Sequence, residues 1–103
     1  MSLTANLEAM LARGQDSALL RYGLGGEYLK LEQFDKAIEH LRGAVKLDAQ
    51  YSAAWKLLGK AFAETDRTDE AVKAYEDGIR AAEAKGDKQA AKEMTVFLKR
   101  LQK

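Results

Sequence analysis

Apolar residues along this chain recur at intervals of three and four, the spacing that gathers them on one face of a helix. Leu3, Leu7, Met10 and Leu11 form the first stripe and predict a helix over residues 2–13, with Gly14 where it would end. Asp16 or Ser17 is placed to cap a second helix reaching residue 31, with Leu20, Leu24, Tyr28 and Leu31 inside. A third, over 34–47, turns Phe34, Ala37, Ile38, Leu41, Ala44 and Val45 inward. The fourth, over 51–64, carries Trp55, Leu58 and Phe62 on one face with Gly59 between them. The fifth, over 69–84, buries Ala71, Val72, Tyr75, Ile79 and Ala82, and Lys85 and Gly86 close it. Asp87 opens a last helix along Ala91, Met94, Phe97, Leu98 and Leu101. No two-residue alternation persists, so no strand is predicted and the class is all-α.

The breaks at Glu32-Gln33 and Asp48-Ala49-Gln50 are short, which favours antiparallel neighbours. Thr65-Asp66-Arg67-Thr68 forms a third break, rich in side chains able to cap a helix. Gly59 costs about 1 kcal/mol relative to Ala inside a helix. The compensation expected is close approach of a second backbone. The same arrangement occurs twice: Leu24, Gly25, Tyr28 and Ala37 return 34 residues later as Leu58, Gly59, Phe62 and Ala71. A period of that length marks stacked helical units that cannot bury their apolar faces alone.

Trp55-x2-Leu58-Gly59-x2-Phe62 followed by Ala71-x3-Tyr75 resembles the tetratricopeptide repeat. A weaker copy reads Arg21-x2-Leu24-Gly25-x2-Tyr28, then Ala37-x3-Leu41, then Leu47-Asp48-Ala49. Ala49 and Glu83 stand where that family usually has proline, so the fifth helix is expected to run on to Gly86. The resemblance implies antiparallel helix pairs stacked as a short right-handed solenoid of about six helices. It divides a single domain, 1–103, into an N-terminal helix or partial repeat (2–14), repeat 1 (18–51), repeat 2 (52–85) and a C-terminal capping helix (87–103).

In that family the first helix of each pair lines a concave surface that holds extended or helical peptides. Carried over by position, this surface would show Leu19, Tyr22, Gly26 and Leu29 from repeat 1. Repeat 2 would add Ala53, Lys56, Lys60 and Ala63, and the last helix Gln89, Lys92 and Val96. Lys56, Lys60 and Lys92 would offer ammonium groups to an acidic partner, or would serve only to keep the surface soluble. Some family members grip a C-terminal carboxylate with a lysine and an asparagine on one helix. Lys56 matches that lysine, but Lys60 replaces the asparagine and Tyr22 and Gly26 fill both places in the first copy, so that clamp is not reproduced. Tyr22 beside Gly23 and Gly26 forms either a shallow aromatic recess or a contact with Leu3 or Leu7 of the first helix.

Composition narrows the chemistry. Apolar residues make up 47% and charged residues 32% of 103 positions, normal for a globular domain. A net charge of +1 supplies no field to draw the chain onto nucleic acid or an anionic membrane. No apolar run approaches the roughly 20 residues of a membrane span, and no secretory pattern opens the chain, so neither membrane nor nucleic acid is an expected partner. Met1-Ser2-Leu3 carries no functional weight. Cysteine is absent, which excludes a disulfide framework and fits a reducing, cytoplasmic setting. Gly23, Gly25 and Gly26 are not a phosphate loop, because no strand precedes them and no Lys-Ser or Lys-Thr follows.

His40 is the lone histidine, without the company a metal site needs, and Ser17 and Ser52 lie far from it in the repeat register. Neither a cofactor site nor a catalytic constellation is expected. Glu70 with Lys73 reads as an ordinary surface pair. The function expected is non-catalytic: an interaction module holding a protein or peptide, acidic in the sharper version, as a monomer or weak homo-oligomer. The alternative is an assembly protein that self-associates through the groove or an end helix, with Leu19, Tyr22, Leu29 and Val96 forming the contact.

Overall fold

The computed structural model describes residues 2–103, so Met1 of the opening triplet lies outside the described residues. Six helices follow one another: α1 (Leu3–Ala12), α2 (Ala18–Lys30), α3 (Phe34–Leu47), α4 (Ser52–Glu64), α5 (Thr68–Lys85) and α6 (Lys88–Leu101). Ser2, Ser17 and Asp87 cap α1, α2 and α6, each accepting from a backbone amide three residues on. The capping expected of residues 65–68 does not occur. Arg67 precedes α5 without a side-chain cap, and the Thr65 hydroxyl instead donates back to the carbonyls of Ala61 and Phe62 at 3.0 and 3.1 Å.

Four links share one device. Gly14, Glu32, Asp66 and Gly86 have φ of 84°, 58°, 60° and 75°, in the left-handed region. After each, an amide returns to a carbonyl five residues back: Gln15 to Met10, Gln33 to Tyr28, Arg67 to Phe62 and Asp87 to Ala82, at 2.8–3.1 Å. These bonds satisfy carbonyls that a helix end leaves open and reverse the chain in the fewest residues. Leu31, expected inside, lies at the point where α2 has already ended and is 56% exposed.

Small residues let the helices close on one another. A Cβ at Gly25 would fall 2.6 Å from Leu41 Cδ2, and one at Gly59 would fall 2.6 Å from the Tyr75 ring. The same relation, displaced by 34 residues, joins α2 to α3 and α4 to α5. Gly78, which the apolar pattern did not single out, makes the third approach: its Cβ would meet Trp55 Cβ at 2.7 Å and the Met94 side chain. Since Gly59 faces Tyr75 while Trp55 faces Gly78, α4 and α5 run antiparallel. Met94 against Gly78 and Phe97 against Tyr75 give α5 and α6 the same relation. Leu24, Leu41 and Met94 are the largest fully buried side chains. Trp55 is half-buried, with its indole N–H donating to the Ala49 carbonyl at 2.8 Å.

Two clusters of polar side chains tie neighbouring helices, beside the single α4–α6 pair of Lys56 and Glu93. Arg21 holds Asp16 at 2.9 Å and reaches His40 Nδ1 at 3.2 Å, while Glu8 accepts from the Tyr28 hydroxyl at 3.0 Å and lies 3.5 Å from His40 Nε2. This cluster pins α1 onto α2 and α3. Glu70, in place of the expected pairing with Lys73, takes Arg67 at 2.8 Å and Arg42 at 3.0 Å, and both guanidiniums lie over the Phe62 ring. Lys73 turns to Asp77 at 2.9 Å.

The stack bends. Backbones of α2 and α4, and of α4 and α6, approach within 8 Å, whereas those of α3 and α5 do not. The inner side of the bend is therefore built by α2, α4 and α6. No helix among the described residues is long and apolar enough to cross a membrane.

Candidate functional site

Two concavities lie on the inner side of the bend. The one between α2 and α4 encloses about 410 Å³ over Tyr22, Gly26, Leu29 and Leu57. The one between α4 and α6 encloses about 420 Å³ over Leu57, Ala63, Tyr75 and Phe97. Leu57, Lys60 and Glu64 belong to both, so the two form one surface with α4 as its spine. The opening at Gly26 is real: a Cβ there would stand 3.7 Å from Leu57 Cδ1, and no other group lies within 4 Å.

The residues proposed from sequence divide into three groups. Tyr22, Gly26, Leu29, Lys56, Lys60 and Ala63 all reach this surface, although Leu29 is only 8% exposed and forms floor. Leu19 is 71% exposed and lines neither concavity, and Ala53 and Gln89 line neither. Lys92 and Val96 are turned away. They line a separate concavity of about 700 Å³ at the end of the stack, with Ala91 and Thr95. In their place α6 gives Glu93 and Phe97 to the groove. The shift is one residue, about 100° of rotation about the α6 axis, fixed by Met94 seating under Gly78.

The Tyr22 ring tilts against Tyr51 at 4.9 Å, and burial together with that neighbour pushes the Tyr51 phenol above its ordinary pKa. Leu7 meets the adjoining Gly23, at 3.7 Å from where a Cβ would be. The position of Tyr51 at the start of α4 was the signal, one that an inward-face count passes over.

The electrostatics differ from the basic groove expected. The Lys56 ammonium is held by Glu93 at 3.2 Å, and Lys30 by Glu27 at 3.0 Å. Lys60 and Glu64 complete a lining of three ammoniums and three carboxylates. The surface is neutral overall. Tyr75, at the floor, is pushed up to about 12 by burial and by the nearby Glu64 charge.

His40 sits outside this groove, buried and stacked on Tyr28 at 5.6 Å. Its pKa is lowered, first by burial and also by the Arg21 cation, against the pull of Glu8, Glu39 and Asp16. Nδ1 accepts from Arg21, so the neutral ring carries its proton on Nε2, toward Glu8. Among the described residues no cluster of three or more His, Asp or Glu side chains is arranged to hold a metal ion.

Comparison with known proteins agrees with this architecture. The tetratricopeptide repeat family profile matches residues 22–87. A TPR repeat-containing protein of Pseudomonas aeruginosa, PA0015, is 53% identical over 95 residues, covering 92% of this chain and 90% of its own. The solution structure of protein BPP2914 from Bordetella parapertussis is 48% identical with a TM-score of 0.84, over 98% of this chain and 88% of that one. The solution structure of a tetratricopeptide repeat domain protein from Salinibacter ruber is 28% identical with a TM-score of 0.77, over 84% and 87%. The 34-residue period, the Gly25–Leu41 and Gly59–Tyr75 approaches and these relatives lead to one conclusion: the chain belongs to the tetratricopeptide repeat family.

Proposed function

We propose that this protein is a non-catalytic interaction module that holds a peptide or protein segment on the inner surface of α2, α4 and α6. The observation that carries this is the sharing of Leu57, Lys60 and Glu64 by two adjoining concavities with apolar floors. Tetratricopeptide repeat domains generally serve protein interaction, and an apolar floor with a charged rim suits a segment that buries a few side chains and orders its backbone. The groove residues are Tyr22, Gly26, Leu29, Leu57, Lys60, Ala63 and Phe97.

Leu57→Arg places a long cation between the two concavities; because Leu57 is partly buried against the core, thermal melting first establishes that the variant folds. Native-cell capture with the wild type and with this variant, read by mass spectrometry, tests the reading. Proteins retained by the wild type and lost with Leu57→Arg support the groove, and equal retention removes it.

A second reading, self-association, draws on the end of the stack. There Val96 is 48% exposed beside the concavity of about 700 Å³ on α6. Light scattering over a concentration series decides it: a constant monomer mass discards this reading.

A further inference from the structure

Four of the six charges lining the groove are already neutralised inside the protein. Lys30 is engaged by Glu27 and Lys56 by Glu93. The remaining two, Lys60 and Glu64, have no ion-pair partner within 4 Å among the described residues, and both are exposed. They stand one turn apart on α4, about 6 Å along its axis, and α4 is the helix that any segment occupying both concavities must cross.

We propose that the groove selects a segment with an acidic and a basic side chain close together in sequence, flanked on either side by an apolar side chain. This rests on the peptide-binding reading of the same surface. The apolar side chains enter the two concavities, one over Tyr22 and Leu29, the other over Ala63 and Phe97. Between them the carboxylate meets Lys60 and the cation meets Glu64. Neighbouring residues of an extended chain project to opposite sides, so one short segment crossing α4 can present opposite charges to its two sides. A purely acidic segment would gain Lys60 and be repelled by Glu64; a purely basic one would suffer the reverse. The chemistry therefore departs from the acidic partner that the lysines alone suggested, because the carboxylates of Glu93 and Glu64 are invisible to a count of lysines. Exposed charge pairs are individually weak, so the selection acts as a preference among apolar segments and not as an anchor.

A displayed library of random 12-residue peptides, selected against the whole chain, tests this. Three variants are selected in parallel: Lys60→Glu, Glu64→Lys and Leu57→Arg, each first shown by thermal melting to fold. The wild type is expected to enrich peptides with apolar residues flanking one acidic and one basic residue. Lys60→Glu should shift the enriched pool toward basic centres and Glu64→Lys toward acidic ones. Synthetic representatives should each lose roughly fivefold in affinity on the mismatched variant. Enrichment of apolar peptides with uncharged or purely acidic centres by the wild type overturns the proposal and leaves the groove reading standing. So does a pool that neither charge variant changes. Failure of the wild type to enrich any peptide above Leu57→Arg overturns the groove reading, and the proposal with it.

Discussion

A side-chain carbon added to Gly59 would stand 2.6 Å from the Tyr75 ring, closer than two carbons can come without one of them moving. Two effects then oppose each other in Gly59→Ala. Alanine favours the helix by about 1 kcal/mol, and overpacking against a ring that is 3% exposed costs about 1–3 kcal/mol. The ring cannot swing aside, so overpacking prevails. Gly59→Ala is expected to lower the melting temperature, and chemical denaturation measures by how much. A rise would mean that α4 and α5 are less tightly apposed than described.

Trp55 connects α4 to the other close approach. Its Cβ faces Gly78, its indole N–H holds the Ala49 carbonyl, and its ring stays half-exposed. Trp55→Ala is therefore expected to cost roughly 2–4 kcal/mol, toward or below the low end of the range for fully buried aromatic truncations. Gly78→Ala is expected to destabilise through Trp55 and Met94 together. Thermal melts of both variants check this, and an unchanged melting temperature for Gly78→Ala would contradict the α4–α5–α6 packing.

Glu32 and Asp66 hold left-handed backbone without being glycine. That conformation costs a side-chain-bearing residue roughly 1–2 kcal/mol, while glycine returns part of the gain through its freer unfolded chain. Glu32→Gly and Asp66→Gly are each expected to stabilise the fold by about 0.5–1 kcal/mol. The two should add, since they lie at separate links. Calorimetry on the single and double variants supplies the measurement.

His40 gives the fold an acid-sensitive step. Burial holds its folded pKa below the ordinary 6.5, so below that pH the unfolded chain takes up a proton that the folded chain refuses. Stability is full above about pH 6.5 and falls as the pH drops through the window beneath it. Asp16 and Glu70, whose pKa values are lowered chiefly by Arg21 and Arg67, act in the same direction at lower pH. Melting temperatures between pH 7.5 and 5 should decline for the wild type. His40→Gln should start lower and decline less over this range.

Much of this architecture was legible because it is local. Helix positions follow from side chains three and four apart, and the Gly25–Leu41 and Gly59–Tyr75 contacts follow from a small residue and a large one placed twice at one interval. What escaped depends on a third helix. Gly78 matters only because Met94 arrives from α6 onto the same spot, and no spacing within α5 reports that. Lys92 and Val96 were assigned to the groove by allowing two extra residues in the α5–α6 link beyond the 34-residue period. Glu93 and Phe97, which do line it, stand 37 residues after Lys56 and Lys60, so the link carries three, and that one-residue difference moved Lys92 and Val96 to another face. Lys56 read as a free cation because its carboxylate, Glu93, lies 37 residues away. The capping expected of residues 65–68 failed because the left-handed turn at Asp66 had already reversed the chain, leaving Thr65 to bond backward.

The links at Glu32 and Asp66 share more than a backbone angle. Each lies in the same place relative to the glycine and the bulky residue of its helix pair, so the two pairs are closed by the same turn. A duplicate of residues 18–51 spliced in before Ser52 would carry that turn with it and would meet α4 through the same faces that residues 18–51 use now. It would lengthen the inner wall by one helix, and the single new joint would run from Tyr51 to Ala18.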